Sequence, residues 1–333
     1  MKILVDTLGA DKGYEEITKG VIKSLENHKE LNITLIGNKK NIENILKENS
    51  EILTRVDFID TDEYILNDEE PALAIRRKKD SSLYLGFKAL NEDSYDGLIS
   101  CGSTGALLAG ATLITKRLKN ISRAALTVVF PTEKNPVVLL DAGANMDCSK
   151  ELLEQFALMG SVYSSGVLKI NNPKVGLLSV GTEEGKGDKL RKETFEILKN
   201  SDINFQGNIE ARDFLSGIVD VIVTDGFAGN VLLKSTEGTA ITIMSNLKKG
   251  ILSSAKAKLG ALLLKDVLND IKGMLDYNEY GAAPLLGVKK AVFKAHGSSN
   301  ARAIETGINA MVKFIENDII TKIESNLGEV ELK

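Results

Sequence analysis

The sequence predicts an α/β protein whose largely parallel sheet is covered by helices on both faces. Three observations lead there. Short β-branched apolar runs recur along the chain, most are followed by a Gly/Asp/Ser/Thr/Asn cluster, and a stretch of helical periodicity comes next. Residues 3–5 give the first strand and 15–27 the first helix; 33–36 and 40–48 repeat the pattern. A helix over 84–91 leads into a strand at 98–99, then a helix over 105–118. Strands at 126–130 and 137–140 precede a helix over 149–163, where Ser149 stands as an N-cap before Leu152 and Leu153. Strand 175–180, helix 188–199 and strand 219–223 follow, and a helix over 300–317, preceded by Ser299, closes the pattern. With no internal repeat and no Pro/Ser-rich linker, the rhythm implies one large sheet in a single α/β domain over residues 1–333. Residues 241–275 depart from it: helical, strand-free and lysine-rich, they form an excursion from the α/β body.

Composition excludes several classes. The 42 Lys+Arg and 46 Asp+Glu leave a net charge of −4, which argues against a uniform electrostatic grip on nucleic acid. Cys101 and Cys148 are too few for a disulfide framework and suit a reduced, cytoplasmic setting. His28 and His296 are the only histidines, so no zinc site is expected and magnesium would need carboxylates. The chain opens on a strand-like run without a basic n-region, and no apolar stretch reaches the ~18 residues of a membrane-spanning helix.

In open α/β sheets ligands sit beyond the carboxyl ends of strands, so the loops there are the informative ones. The first runs from Asp6 to Asp11. The second, Ser100-Cys101-Gly102-Ser103-Thr104-Gly105, has the glycines and the following helix that favour a bound anion. The third, Gly181-Thr182-Glu183-Glu184-Gly185-Lys186-Gly187, has the wrong glycine spacing for a P-loop, and Gly187 stands where Ser or Thr should bind magnesium. Its Lys186, between glycines, can still reach a small anion. The fourth runs from Asp225 through Gly229 to Asn230, with Lys234 one turn further on, and the fifth is His296-Gly297-Ser298-Ser299. Cys101 reads as a buried strand-end thiol rather than a nucleophile.

Taken together, these loops resemble a known family. The runs from Val5 to Asp11, Ala74 to Ser82, GSTGALLAGAT from Gly102, LLDAGANMDC from Leu139, QFALMGSVY from Gln155, GLLSVGTEEGKG from Gly176, DGFAGNVLLK from Asp225, EYGAAPLLGV from Glu279 and HGSS from His296 are similar to the acyl-ACP:phosphate acyltransferases (PlsX). The first loop departs slightly, with Thr7-Leu8-Gly9-Ala10 where the family favours Ala-Met-Gly-Gly. The resemblance implies a three-layer α/β/α fold of the phosphotransacetylase and isopropylmalate dehydrogenase kind, a homodimer, and no cofactor. It implies a reaction that moves a long acyl chain from acyl carrier protein to inorganic phosphate, giving acyl phosphate for phospholipid synthesis.

Phosphate is already nucleophilic near neutral pH and a thiolate leaves readily, so such a reaction needs positioning and preorganised donors more than a catalytic triad. On that basis Gly102, Ser103, Thr104 and Gly105, with Ser298 and Ser299, are expected to cradle phosphate, and Lys186 to face phosphate or the oxyanion. Asn230 would donate at the same centre, and His296 would protonate sulfur or orient phosphate. Asp6, Gly181, Thr182, Asp225 and Gly229 complete the expected substrate site. The cluster Arg76-Arg77-Lys78-Lys79 is expected to receive the acidic carrier protein, and the apolar stripe containing Leu262 and Leu263 to rest on the membrane surface. Two rivals remain at this level: a dehydrogenase of the isopropylmalate type, which would need an acidic metal cluster, and a non-catalytic carrier-binding scaffold.

Overall fold

The computed structural model describes residues 1–47, 49–92, 94–132, 134–268 and 281–328. Its strands are β1 (Lys2–Asp6), β2 (Asn32–Gly37), β3 (Val56–Asp60), β4 (Gly97–Ser100), β5 (Ala125–Leu126), β6 (Val128–Phe130), β7 (Val137–Leu140), β8 (Val175–Ser179), β9 (Phe205–Glu210), β10 (Val221–Val223), β11 (Ala282–Leu286) and β12 (Ala291–Ala295). They form two sheets rather than the one expected. The seven-stranded sheet has the order β3-β2-β1-β4-β12-β11-β5, and the five-stranded one β6-β7-β10-β8-β9. Pairing is parallel except where β11 meets β12 and β5, and where β6 meets β7.

The division falls inside one apolar run. Leu126 pairs with Leu285 in the first sheet, whereas Val128 pairs with Leu139 in the second. At the step between them the Thr127 N–H donates to Pro284 O at 3.0 Å, and Ala142 N–H donates to Leu126 O at 2.9 Å. Hydrophobicity alone does not mark a strand that changes partners, so 126–130 reads as a single element.

Burial on both faces explains why most strands read as unbroken apolar runs. Ile3, Val5, Val138, Leu140 and Val221 face one apolar layer, while Leu4, Leu139 and Ile222 face the other. Each layer extends across both sheets. The first is covered by helices Gly13–Asn27, Lys150–Val167 and Ala301–Glu316, the second by Ser82–Asn91, Thr104–Gly110 and the start of Gly226–Leu252. This is the three-layer α/β/α arrangement.

Capping matches the sequence at Ser149, whose Oγ accepts from Leu152 N–H at 3.3 Å, whereas the last long helix is capped by Asn300 rather than Ser299, Asn300 Oδ1 accepting from Ala303 N–H at 2.9 Å. The helix expected over 105–118 ends sooner. After Gly110 it passes into a wider turn, Ala111–Thr115, and Lys116 takes a left-handed φ of 71°. No Gly or Pro stands within 111–118 to announce that stop. Strands β3 and β9 were not expected because each is a polar sheet edge, and β11 because Pro284 lies within it.

The excursion is helical and strand-free as far as it is described. Gly226–Leu252 is followed by Ala255–Leu263, whose N-cap Ser254 accepts from Ala257 N–H at 3.1 Å. Only the first turns of the long helix are buried, and the second helix has no buried residue. Residues 269–275 of the expected stripe, and Glu279 and Tyr280 of the EYGAAPLLGV run, lie outside the described residues.

Candidate active site

Strands β1, β4 and β12 lie side by side, parallel and in register, with Asp6 beside Ser100 and Ser100 beside Lys294. From β1 the sheet extends to β2 on one side and to β4 on the other, so the order reverses at their carboxyl ends and leaves a crevice. A cavity of about 490 Å³ lies there. Its lining includes Gly102 and Thr104 after β4, Lys294 and His296 at the end of β12, and Asn230 and Lys234 from the long helix of the second sheet.

Asp6 is buried beneath this crevice and organises its loops. Its carboxylate accepts from Ser100 Oγ at 2.7 Å and from Leu8 N–H at 3.0 Å. Burial pushes its pKa up to about 6, against the opposing pull of those hydrogen bonds. Gly9 takes a φ of 75°, and a Cβ there would stand 2.9 Å from Gly102 Cα, so the first and second loops touch through bare backbone. Ser103 caps the following helix, accepting from Ala106 N–H at 3.4 Å, and a Cβ on Gly105 would meet Pro71 at 2.6 Å. Both residues therefore hold the loop, while Gly102 and Thr104 face the cavity.

Lys294 was missing from the expected site. Its ammonium donates to Cys101 O at 3.1 Å and to Ala295 O. Burial lowers its pKa, while Cys101, Asp6 and Asp11 favour the charged form. An ammonium has three donors, so two carbonyls leave one for an anion in the cavity. The signal was a charge inside an otherwise apolar strand, Ala291-Val292-Phe293-Lys294-Ala295. Asp11, another lining residue, lies beside Gly297, whose O accepts from its N–H at 2.8 Å.

His296 Nδ1 accepts from Ser298 N–H at 3.2 Å and lies 2.8 Å from Ser298 Oγ, so the neutral ring carries its proton on Nε2. Burial, and then Lys234, lower its pKa, which keeps it neutral at pH 7. Ser299 is buried beside the Cys101 thiol. Burial pushes that thiol up to about 12, so it is not the thiolate that attack would need.

Across the cavity, Asp225 caps the long helix by accepting from Ala228 N–H at 2.9 Å, and it is ion-paired with Arg191. A Cβ on Gly229 would lie 1.9 Å from Asp141 O, so that helix rests directly on the loop after β7. Asp141 holds this loop, accepting from Asn145 N–H at 2.6 Å and Leu126 N–H at 3.0 Å. The packing brings Asn230 against Gly143 at the cavity wall. Lys234 is paired with Glu237 at 2.7 Å on the same wall.

The third loop lies apart. Gly181 is buried, but Thr182 and Lys186 are exposed, and none of the three lines the cavity. The Lys186 side chain lies back over Gly181. The loop is tied to the site indirectly, because Arg191 bridges Asp188 at 3.1 Å to Asp225. Of the basic cluster, Lys78 is paired with Glu69 at 2.8 Å and Lys79 lies 4.0 Å from the centre of the Tyr84 ring, while Arg76 and Arg77 are exposed. Leu262 and Leu263 are 67% and 80% exposed, so their stripe is not a core face of this chain. Among the described residues no helix is long and apolar enough to cross a membrane.

A strand-end crevice lined by glycines, a lysine ammonium and an amide, set on a doubly wound sheet, defines an α/β protein of the phosphotransacetylase-like architecture. A phosphotransacetylase from Streptococcus pyogenes has this fold, with a TM-score of 0.60 at 19% identity over 95% of this chain and 94% of that one. The sequence matches the fatty acid synthesis protein family over residues 1–322. It is 51% identical over 327 residues to the phosphate acyltransferase of Finegoldia magna, covering 98% of this chain and 99% of that protein. It is 44% identical over 330 residues to that of Clostridium acetobutylicum, covering 99% and 100%. The chain belongs to this family, and the resemblance read from its motifs holds.

Proposed function

We propose that this chain is a phosphate acyltransferase that moves an acyl group from the thioester of acyl carrier protein to inorganic phosphate. The observation that carries the reading is Lys294, a half-buried cation that lines a strand-end cavity together with Asn230, His296 and Thr104. The site supplies donors for an anion, and its one thiol is held protonated. That inventory suits a nucleophile that arrives already ionised. A phosphate oxygen attacks the thioester carbon, the carbonyl oxygen becomes an oxyanion, and the C–S bond breaks to give acyl phosphate and a thiolate. Lys294 and Asn230 offset the charge on phosphate and oxyanion, as preorganised donors do most effectively in a water-poor cavity. Neutral His296, with its proton on Nε2, orients phosphate or protonates the departing sulfur. Gly102 and Thr104 bound the phosphate position; Ser103, Gly105, Ser298, Ser299, Asp6, Asp225 and Gly229 hold the loops that form it. Lys186 acts from the rim, through the loop that Arg191 ties to Asp225.

The finer parts of the reading follow from surfaces outside the cavity. Arg76 and Arg77, with Lys78 and Lys79 behind them, receive the acidic carrier. The exposed apolar stripe that includes Leu262 and Leu263, bordered by lysines, rests on an anionic lipid surface, placing a homodimer at the cytoplasmic face where its product is used.

Intact-mass spectrometry of acyl carrier protein incubated with this protein tests the reading. The acyl mass should disappear from the carrier only when phosphate is present. Binding without phosphate-dependent deacylation would instead leave the scaffold reading.

A further inference from the structure

One row of side chains crosses the seven-stranded sheet beneath the cavity, and its polarity changes along the way. Register places Asp6 beside Ser100, Ser100 beside Lys294, and Lys294 beside Ala283. On the far side of β11, Leu285 pairs with Leu126 and Thr127 N–H donates to Pro284 O; Val128, which pairs with Leu139 in the second sheet, follows directly and packs on the same apolar layer as Ala283. Paired residues share a face of the sheet. The row therefore runs from a carboxyl, a hydroxyl and an ammonium to a methyl and an isopropyl group. The cavity follows it: its lining includes Lys294, then Ala283, then Leu126, Val128 and Ala142, where the two sheets meet. Leu233 closes this apolar end from the long helix.

We propose that the apolar end of the cavity, walled by Ala283, Leu126, Val128, Ala142 and Leu233, holds the hydrocarbon chain of the acyl group, and that Ala283 and Val128 set the chain length accepted. The assignment rests on the phosphate acyltransferase reading and adds to it where the chain lies and what limits it. An acyl thioester has one charged-in-transition end and one apolar tail, and the row offers an ammonium to the first and aliphatic walls to the second. Each methylene that leaves water for such walls is stabilised by the transfer, so the tail has a reason to enter. Ala283 is half-buried, which leaves its methyl group against the cavity, and it lies one strand from Lys294. A larger side chain there narrows the passage immediately past the reacting carbon. Val128, also half-buried, lies further along the same row.

The test is the chain-length profile of kcat/KM, with butyryl, octanoyl and hexadecanoyl thioesters of acyl carrier protein, for the wild-type protein, Ala283→Leu and Val128→Ala. A misfit of a methylene or so shifts selectivity by ~10–200-fold. Ala283→Leu should therefore lower the hexadecanoyl-to-butyryl ratio at least about tenfold, with KM for phosphate unchanged. Val128→Ala, which removes atoms, should move the ratio the other way and decides the matter if the leucine variant does not fold. Profiles of unchanged shape in active variants would overturn the acyl wall and leave the acyltransferase reading standing. A wild-type protein that transfers no acyl group from any of the three thioesters to phosphate would overturn both.

Discussion

Lys294 occupies a half-buried position where its neighbours on the strand are apolar and buried, and its two carbonyl partners and the nearby Asp6 and Asp11 carboxyls help to make a charge tolerable there. Asp6 is fully buried, and it makes stability depend on pH. Because burial raises its pKa to about 6, the folded state holds this proton more tightly than the unfolded chain. Its contribution is fully present below about pH 4, the ordinary carboxylate range, and is lost as pH rises through about 6. Asp6→Asn cannot ionise and escapes that loss. Urea unfolding from pH 4 to 7 should show the wild type losing on the order of 3 kcal/mol relative to the variant, at about 1.4 kcal/mol per pKa unit. Parallel curves would mean that Asp6 is not desolvated as described. A second comparison concerns Lys186, whose exposed position predicts a smaller effect than loss of a cavity donor. Asn230→Ala should slow acyl transfer by about a hundredfold or more, the usual cost of one oxyanion donor. Lys186→Ala should cost less than Asn230→Ala; the reverse order in steady-state rates would move the reacting centre toward the third loop.

Among the elements, the start of the helix Gly226–Leu252 is the tightest joint, because Gly229 and Gly226 meet the backbone of the Asp141 to Asn145 loop. A methyl group at Gly229 would need to occupy the space of a carbonyl oxygen. Gly229→Ala should lower the unfolding midpoint, at a cost of roughly 1–3 kcal/mol, and reduce activity with it, since Asn230 rides on the same turn. Full activity with an unchanged midpoint would contradict this packing. The far end of the excursion behaves differently. Leu262→Glu with Leu263→Glu should leave thermal stability unchanged, since both side chains are exposed, and abolish flotation with anionic vesicles. Undiminished flotation would assign the stripe to something other than lipid. Much of this was legible in the sequence: the loops after β1, β4, β10 and β12 stand out as glycine-rich turns after apolar runs, and four of the expected residues, Gly102, Thr104, Asn230 and His296, line one cavity. Lys294 was not, because a single charge in a strand gives no local sign of which groups will surround it. Lys186 stood out for the opposite reason: its glycines mark a turn but do not say which way the turn faces.

At the scale of the molecule, two sheets share both apolar layers, so the helix that carries Asn230 from one sheet and the strand that carries Lys294 from the other line a single cavity. The site is a product of that junction. A periodic pattern can announce strands and helices, but it cannot show that the run through Thr127 passes from one sheet to the next and thereby closes the cavity. The central claim is that phosphate attacks the thioester in this cavity, against the half-buried ammonium of Lys294. The most direct measurement is the initial rate of acyl phosphate formation by Lys294→Met, alongside its unfolding midpoint. An apolar side chain of similar length removes the cation without leaving a hole, and replacing a largely desolvated charge in this way is often neutral or stabilising. We predict a rate at least about a hundredfold lower with a midpoint that holds or rises; a rate within a few-fold of the wild type in a folded variant would contradict the account.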